Sequence, residues 1–251
     1  FKYVYQNIKK DVHLSSISGG TDIVSCFVLG NIYQPVYMGE IQNKGLALNV
    51  DILNDKGKSI KNSKGELVCK NPFPTMPLKF WNDKNDNKFK DAYFNRFPNT
   101  WHHGDFAEIK TTRGFVIHGR SDTTLNPGGV RLGTAEIYSE VEKFKEIKES
   151  IVVGQSWDND IRIVLFIVMN TKFFLTEDLL KKIKAQVRKN ASPRHVPSKV
   201  IVVKDIPRTK SGKIVELAVK NTIEGNNIKN EEALANPKAL EQFKGLKELS
   251  I

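Results

Sequence analysis

Four glycine-marked polar segments stand out as places where chemistry could be done: SGGTDI (18–23), WHHGDF (101–106), GRSDTTLNPGGVRLGTAEIY (119–138) and IPRTKSGK (206–213). The last is the most suggestive by itself. It puts Arg208, Lys210 and Lys213 around Gly212, directly after the apolar run Val200-Ile201-Val202-Val203. A basic, glycine-flexed loop after a strand is a place to meet phosphate. It is not a P-loop, because Pro207 stands where that motif needs its first glycine and Ile214 stands where Ser or Thr should hold magnesium. Read singly, the other segments are ordinary turns. Lys213 then reads as a solvated loop lysine, Asp122 as a turn cap, and Arg131 as a surface partner for Glu136.

Composition narrows the choices. The chain has 251 residues, 39% hydrophobic and 27% charged, which is the balance of a water-soluble globular protein of one large or two modest domains. It holds no apolar run of the roughly 18–20 residues that a membrane span needs. The five histidines, His13, His102, His103, His118 and His195, lack metal-site spacing. Cys26 and Cys69 lie in apolar strand-like runs and read as buried reduced thiols. The net charge of +11 is concentrated: eleven Lys or Arg and one acid, Asp205, lie between Lys181 and Lys213. Such a field favours a polyanion. A polyphosphate metabolite such as ATP or coenzyme A is one candidate and nucleic acid another, the latter disfavoured because no RNA- or DNA-reading motif accompanies the field; a solvated helix face accounts for Lys181, Lys182, Lys184, Arg188 and Lys189 about as well. The chain begins with Phe1, in a stretch (1–5) that reads as the middle of a strand, which points to a piece of a longer polypeptide.

These segments must be positioned by the elements between them. Residues 1–121 read as strands and turns, with β-type runs at 23–29, 47–53 and 66–69 and a hairpin about TTRG (111–114). Between 72 and 106 lie nine aromatic residues, expected to form an ordered loop region whose rings cover the domain. After Asp122 helical and strand periods alternate. Thr134 is expected to cap a helix with an apolar stripe of Ile137, Val141, Phe144 and Ile147. Strands follow at 151–154 and 161–169. Thr176 is expected to cap a second helix, with Leu179, Leu180, Ile183 and Val187 inward and Pro193 stopping it. A third strand is expected at 200–203 and a closing helix at 237–249. The fold class is therefore α/β (α+β): a β-rich part, 1–121, followed by a small α/β domain, 122–251.

Taken together, in this order and spacing, the four segments resemble the acyl-adenylate-forming enzymes, the superfamily of acyl-CoA synthetases, peptide-synthetase adenylation domains and luciferases. PVYMGEIQ (35–42), NPFPTMPLKFW (71–81), SPRHVP (192–197) and ALANPKAL (233–240) extend the resemblance toward its acetoacetate-activating members. The resemblance implies a C-terminal part of the large AMP-binding domain followed by a mobile domain. It implies ATP, coenzyme A and Mg2+ as cofactors, acetoacetate as acid substrate, and a cytosolic setting. Thr21 is implied at the α-phosphate and Asp22 at magnesium; most of the superfamily has Glu there, a longer carboxylate. Asp105 is implied at the ribose hydroxyls with Arg120 beside it, Arg131 near the phosphate, Gly128, Gly129 and Arg194 at coenzyme A, Asp122 as the hinge and Lys213 as the adenylation lysine. The Ser/Thr/Gly-rich phosphate loop that lies upstream of SGGTD in the superfamily is not among these residues, so a non-catalytic nucleotide- or CoA-binding remnant is the competing expectation. Acetate or another short acid is the competing substrate.

Overall fold

A computed structural model describes residues 1–228 and 231–250. The chain divides into two compact units, Phe1–Ser121 and Asp122–Ile251.

The first unit is built on two antiparallel sheets. β1 (Ser18–Gly20), β2 (Ser25–Leu29) and β3 (Asn43–Lys44) form one sheet in sequence order. β4 (Val50–Leu53), β5 (Gly65–Cys69), β6 (Trp101–Ile109) and β7 (Phe115–Arg120) form the other, in the order β4-β5-β6-β7. The hairpin about TTRG is present as β6–β7. The first residues are not a strand: Lys2–Asn7 forms a short helix, α1, held by local bonds such as the Tyr5 amide to the Phe1 carbonyl, with no residue buried. The aromatic stretch 72–106 does cover the core with rings. Phe73 packs edge-on to Phe27 and Trp101, and Phe89, Tyr93 and Phe94 surround Trp101. It is more regular than a loop, for it contains a helix, α2 (Asn87–Tyr93), and the start of β6.

The second unit is three-layered. β8 (Ile147–Trp157) pairs antiparallel with β9 (Asp160–Met169), and β10 (Lys199–Val202) pairs parallel with β9. Strict alternation splits β9 between two cores. Ile163, Leu165 and Ile167 join Ile137 and Val141 of α3 (Thr134–Val141) and Leu179, Ile183 and Val187 of α4 (Glu177–Asn190). Val164, Phe166 and Val168 face the other way, onto Ala218 and Val219 of α5 (Glu216–Ile223) and onto Leu240 and Phe243. Thr176 caps α4 as its position predicts, its hydroxyl accepting from the Leu179 amide at 3.2 Å.

Three expectations in this unit are corrected. Thr134 is the first helical residue and Gly133 is the cap, because the Thr134 hydroxyl is bonded to the Glu216 carboxyl. Phe144 and Ile147 both lie beyond α3, which ends at Val141, and Ile147 opens β8. The closing helix is two 3-10 segments, Pro237–Phe243 and Lys247–Leu249, interrupted where Gly245 takes φ +58°. The helix α5 starts without a side-chain cap, so no local signal marks its beginning. Both cysteines are free; Cys69 is buried, and burial pushes its thiol up, whereas Cys26 is only partly buried, against expectation.

Candidate functional site

In the first unit the sequence-predicted residues converge through one strand. Along β6, Trp101, His103 and Asp105 are spaced by two and share a face. Asp105 is buried and sits opposite Arg120 in the β6–β7 register. The Arg120 Nη1 donates to Asp105 Oδ1 at 3.2 Å and to the His103 carbonyl at 3.1 Å. The guanidinium lies over Gly104, where an added Cβ would stand 2.7 Å from Nη2 and where φ is +79°. Glycine is therefore required at 104 on two counts: backbone conformation and the space that Arg120 occupies.

Asp22 joins this group from the other sheet's turn. Its Oδ2 accepts from the Tyr93 hydroxyl at 2.6 Å. Tyr93 in turn stacks on Trp101, with centroids 3.6 Å apart and planes at 15°. Burial and the Asp22 bond push the Tyr93 hydroxyl well up, so it remains a donor to the carboxylate. His103 is buried, and burial pushes its imidazole down against the opposing pull of Asp105 and of a bond to the Gly19 backbone. Thr21 and Asp22 are exposed at the start of the turn 21–24, which ends at Val24 with φ +48°. A left-handed backbone at a β-branched residue is a strained conformation, and such strain gathers at functional sites.

The second unit presents its predicted residues on separate loops. Asp122 lies in the 3-10 turn Ser121–Thr123, and with Thr123, Thr124, Glu216 and Lys220 it lines a small cavity of about 50 Å³. Gly128 (φ +58°) and Gly129 (φ +73°) need glycine for their backbone alone, because a Cβ at either meets nothing within 4 Å. Open space above two glycines is what close approach of an extended ligand arm requires. Asp160 fixes this turn, both carboxylate oxygens accepting from the Gly128 amide at 2.9 Å. Arg131 is partly buried beyond it. Arg194 is exposed in the turn Pro193–His195, where its amide donates to the Ser192 hydroxyl at 3.2 Å.

Lys213 is exposed at the end of a tight loop. Gly212 turns the chain with φ +85°. The Thr209 amide donates to the Lys213 carbonyl at 2.8 Å, and the Lys213 amide donates to the Thr209 hydroxyl at 3.1 Å. Arg208 holds the base, bonding the Gly212 carbonyl at 2.9 Å and pairing with Glu149 at 3.0 Å. The backbone is thus fixed while the ammonium group projects into solvent on a long, flexible stem.

Sequence reading missed Tyr93, His103, Asp160 and Glu216. His103 was legible, since WHHGD places Trp101, His103 and Asp105 on one face by simple alternation. The other three meet their partners across 71, 32 and 78 residues, and no local pattern announces such pairs.

Comparison with known proteins gives this geometry a setting. Residues 136–213 match the AMP-binding enzyme C-terminal domain. The acetoacetyl-coenzyme A synthetase of Rhizobium meliloti is 60% identical over 249 residues, covering 99% of this chain and 38% of that protein. The acetoacetyl-CoA synthetase of Gallus gallus is 47% identical over 251 residues, again 38% of its length. The chain therefore spans well under half the length of these relatives. Among solved structures, the acetoacetyl-CoA synthetase from Streptomyces lividans superposes with a TM-score of 0.88 at 39% identity, covering 94% of this chain and 36% of that one. An anthranilate CoA ligase in complex with anthranoyl-AMP shares the fold, with a TM-score of 0.71 at 20% identity over 84% of this chain and 40% of the other. The chain has the fold of the adenylate-forming enzymes and is similar, over nearly all of its length, to the C-terminal part of acetoacetyl-CoA synthetases.

Proposed function

We propose that this chain forms part of an AMP-forming acetoacetate–CoA ligase. In the first step the acetoacetate carboxylate attacks the α-phosphorus of ATP, giving acetoacetyl-AMP and pyrophosphate. In the second the coenzyme A thiol, losing its proton, attacks the acyl carbon and AMP leaves. The observation that carries this reading is 60% identity to an acetoacetyl-coenzyme A synthetase across 99% of the chain.

The chain's own residues suit the task. The Asp105 carboxylate, held rigid by Arg120, is an acceptor pair for the ribose hydroxyls. Thr21, exposed beside Asp22, offers a hydroxyl to the α-phosphate. Attack of one anion on another is an electrostatic problem, and Lys213 supplies a mobile positive charge while the phosphorus gains negative charge. Arg131 serves the phosphate, and Gly128, Gly129 and Arg194 serve coenzyme A. Asp122 is the pivot that lets the second unit present different loops in the two steps.

Magnesium fits one residue. Asp22 is an exposed oxygen donor held in place by Tyr93, and the described residues contain no cluster of three or more His, Cys, Asp or Glu that would make a protein cage. A single carboxylate with substrate phosphates and water is the usual magnesium arrangement. When bound, the ion would offset charge on the phosphate oxygens. No described helix is long and apolar enough to cross a membrane, and we place the enzyme in the cytosol.

The test is product analysis with the intact protein, ATP, coenzyme A and a panel of acetoacetate, acetate and 3-hydroxybutyrate. Acetoacetate is expected to give the highest kcat/KM, with AMP and pyrophosphate formed. Release of ADP, or a preference for acetate, would overturn the assignment.

A further inference from the structure

Two carboxylates that no sequence motif marks lie on either side of Asp122. Glu66, on β5, has a side chain with no exposed surface. It accepts from His102 Nε2 at 2.8 Å, pairs with Arg96 at 3.1 Å, and accepts from the hydroxyl of Ser121. Ser121 is the last residue of the first unit. Glu216 opens α5, three residues after Lys213. Its Oε1 accepts from the Tyr138 hydroxyl at 2.7 Å, and Tyr138 accepts from the Val152 amide at 3.0 Å. The same carboxyl is bonded by the hydroxyls of Thr134 and Thr123. Thr123 is thereby tied to α3, β8 and α5 at one point.

We propose that Glu66 and Glu216 are positioning residues that clamp Ser121 and Thr123 to their respective units and so confine rotation between the units to the backbone torsions between the Ser121 and Thr123 Cα atoms, centred on Asp122. This rests on the reading of Asp122 as the pivot. Rotation about the Ser121 φ would separate its hydroxyl from Glu66, and rotation about the Thr123 ψ would separate its hydroxyl from Glu216. Either would strip a hydroxyl from a carboxylate that is fully buried at Glu66 and partly buried at Glu216, whereas rotation about the Asp122 φ and ψ leaves both bonds made. Burial raises the Glu216 pKa against the three hydroxyls that favour its charged form, so loss of one of them falls on a group already short of solvent. Because Glu216 and Lys213 share one short segment, the lysine loop turns as a body with Thr123. The clamps convert a flexible linker into a single joint with few stopping positions.

The experiment uses the full chain with spin labels at Lys56→Cys and Lys181→Cys, both exposed, in a Cys26→Ser background. Pulsed electron resonance reads the distribution of distances between the labels. Asp122→Pro is expected to collapse the parental distribution toward one distance, since proline fixes φ. The Ser121→Ala/Thr123→Val double variant is expected to broaden it by about 1.5-fold or more, as additional backbone torsions are released. Ser121→Thr/Thr123→Ser, which keeps both hydroxyls, is expected to restore the parental width. A double variant with the parental width would overturn the clamps while leaving the pivot intact. An Asp122→Pro distribution identical to the parent would overturn the pivot reading, and this proposal with it.

Discussion

Asp105 and Lys213 are both proposed to meet the nucleotide, yet they are held in contrasting ways. Asp105 is 7% exposed in the middle of a four-stranded sheet, paired with Arg120, and joined through His103, Trp101 and Tyr93 to Asp22. Lys213 is exposed on a loop whose backbone is fixed by Thr209 and Arg208 and whose charge reaches outward. A group that binds the same part of the substrate through both steps gains from rigidity, because ordering is complete before the ligand arrives. A cation needed in one step only gains from an exposed seat on a separate unit, from which it can be withdrawn.

Stability changes should expose this contrast most strongly. Glu66→Ala removes a fully buried carboxylate and leaves His102 and the Ser121 hydroxyl without it, while Arg96 keeps Asp55 at 2.7 Å, and is expected to cost about 2–3 kcal/mol. Chemical denaturation of the full chain, followed by a first-unit signal such as Trp101 fluorescence, checks it. A cost near zero would mean that the sheet does not rely on its buried charges.

Arg120→Ala should come next. Arg120 is half exposed, so screening reduces what the pair contributes, and the expected loss of stability is about 1–2 kcal/mol. Nucleotide affinity should fall further, by about 10-fold or more, because Asp105 loses the partner that orients it. Calorimetric titration of AMP into the intact protein measures this. If affinity held while stability fell, Arg120 would be a fold residue only.

The two units should also respond to pH in opposite senses. His103 is pushed down by burial, so its contribution is complete above the ordinary imidazole pKa of about 6.5 and is lost as pH falls below it. Glu216 is pushed up by burial, so its contribution is greatest below the ordinary carboxylate range and is lost as pH rises through its raised pKa. Unfolding midpoints against pH for His103→Gln and Glu216→Gln should each remove one slope: the acid-side loss from the first unit, the loss on raising pH from the second. Slopes unchanged in both variants would remove the electrostatic part of the contrast.

The smallest effects are at strained backbone. Gly128→Ala meets open space but must keep φ +58°, so a cost of about 1 kcal/mol is expected. Val24→Gly relieves a left-handed valine, and a gain of up to about 1 kcal/mol is expected. Thermal unfolding of each variant decides the sign.

The sequence disclosed those features that are written locally. The almost continuous apolar run 161–169 marked β9, and Thr176 with Glu177 and Asp178 marked the start of α4. Motif order gave Asp22, Asp105, Arg120 and Lys213 by resemblance. Features set by distant partners stayed hidden. Thr134 looks like a cap until Glu216 claims its hydroxyl, and 237–249 looks like a helix until Gly245 breaks it. Tyr93 sat among nine aromatic residues, and only the folded chain distinguishes the one that bonds Asp22.

The most direct test of the account is Lys213→Ala in the intact protein, assayed for each half-reaction. Its folding free energy should stay within about 0.5 kcal/mol of the parent, since an exposed loop lysine stabilises little. Acetoacetate-dependent ATP–pyrophosphate exchange should fall by about 10²–10³-fold, the usual loss of a charge aimed at a transition state. Thiol attack on supplied acetoacetyl-AMP should remain near the parental rate. Equal losses in the two half-reactions would contradict the account, because a cation that can be withdrawn after the first step has no part in the second.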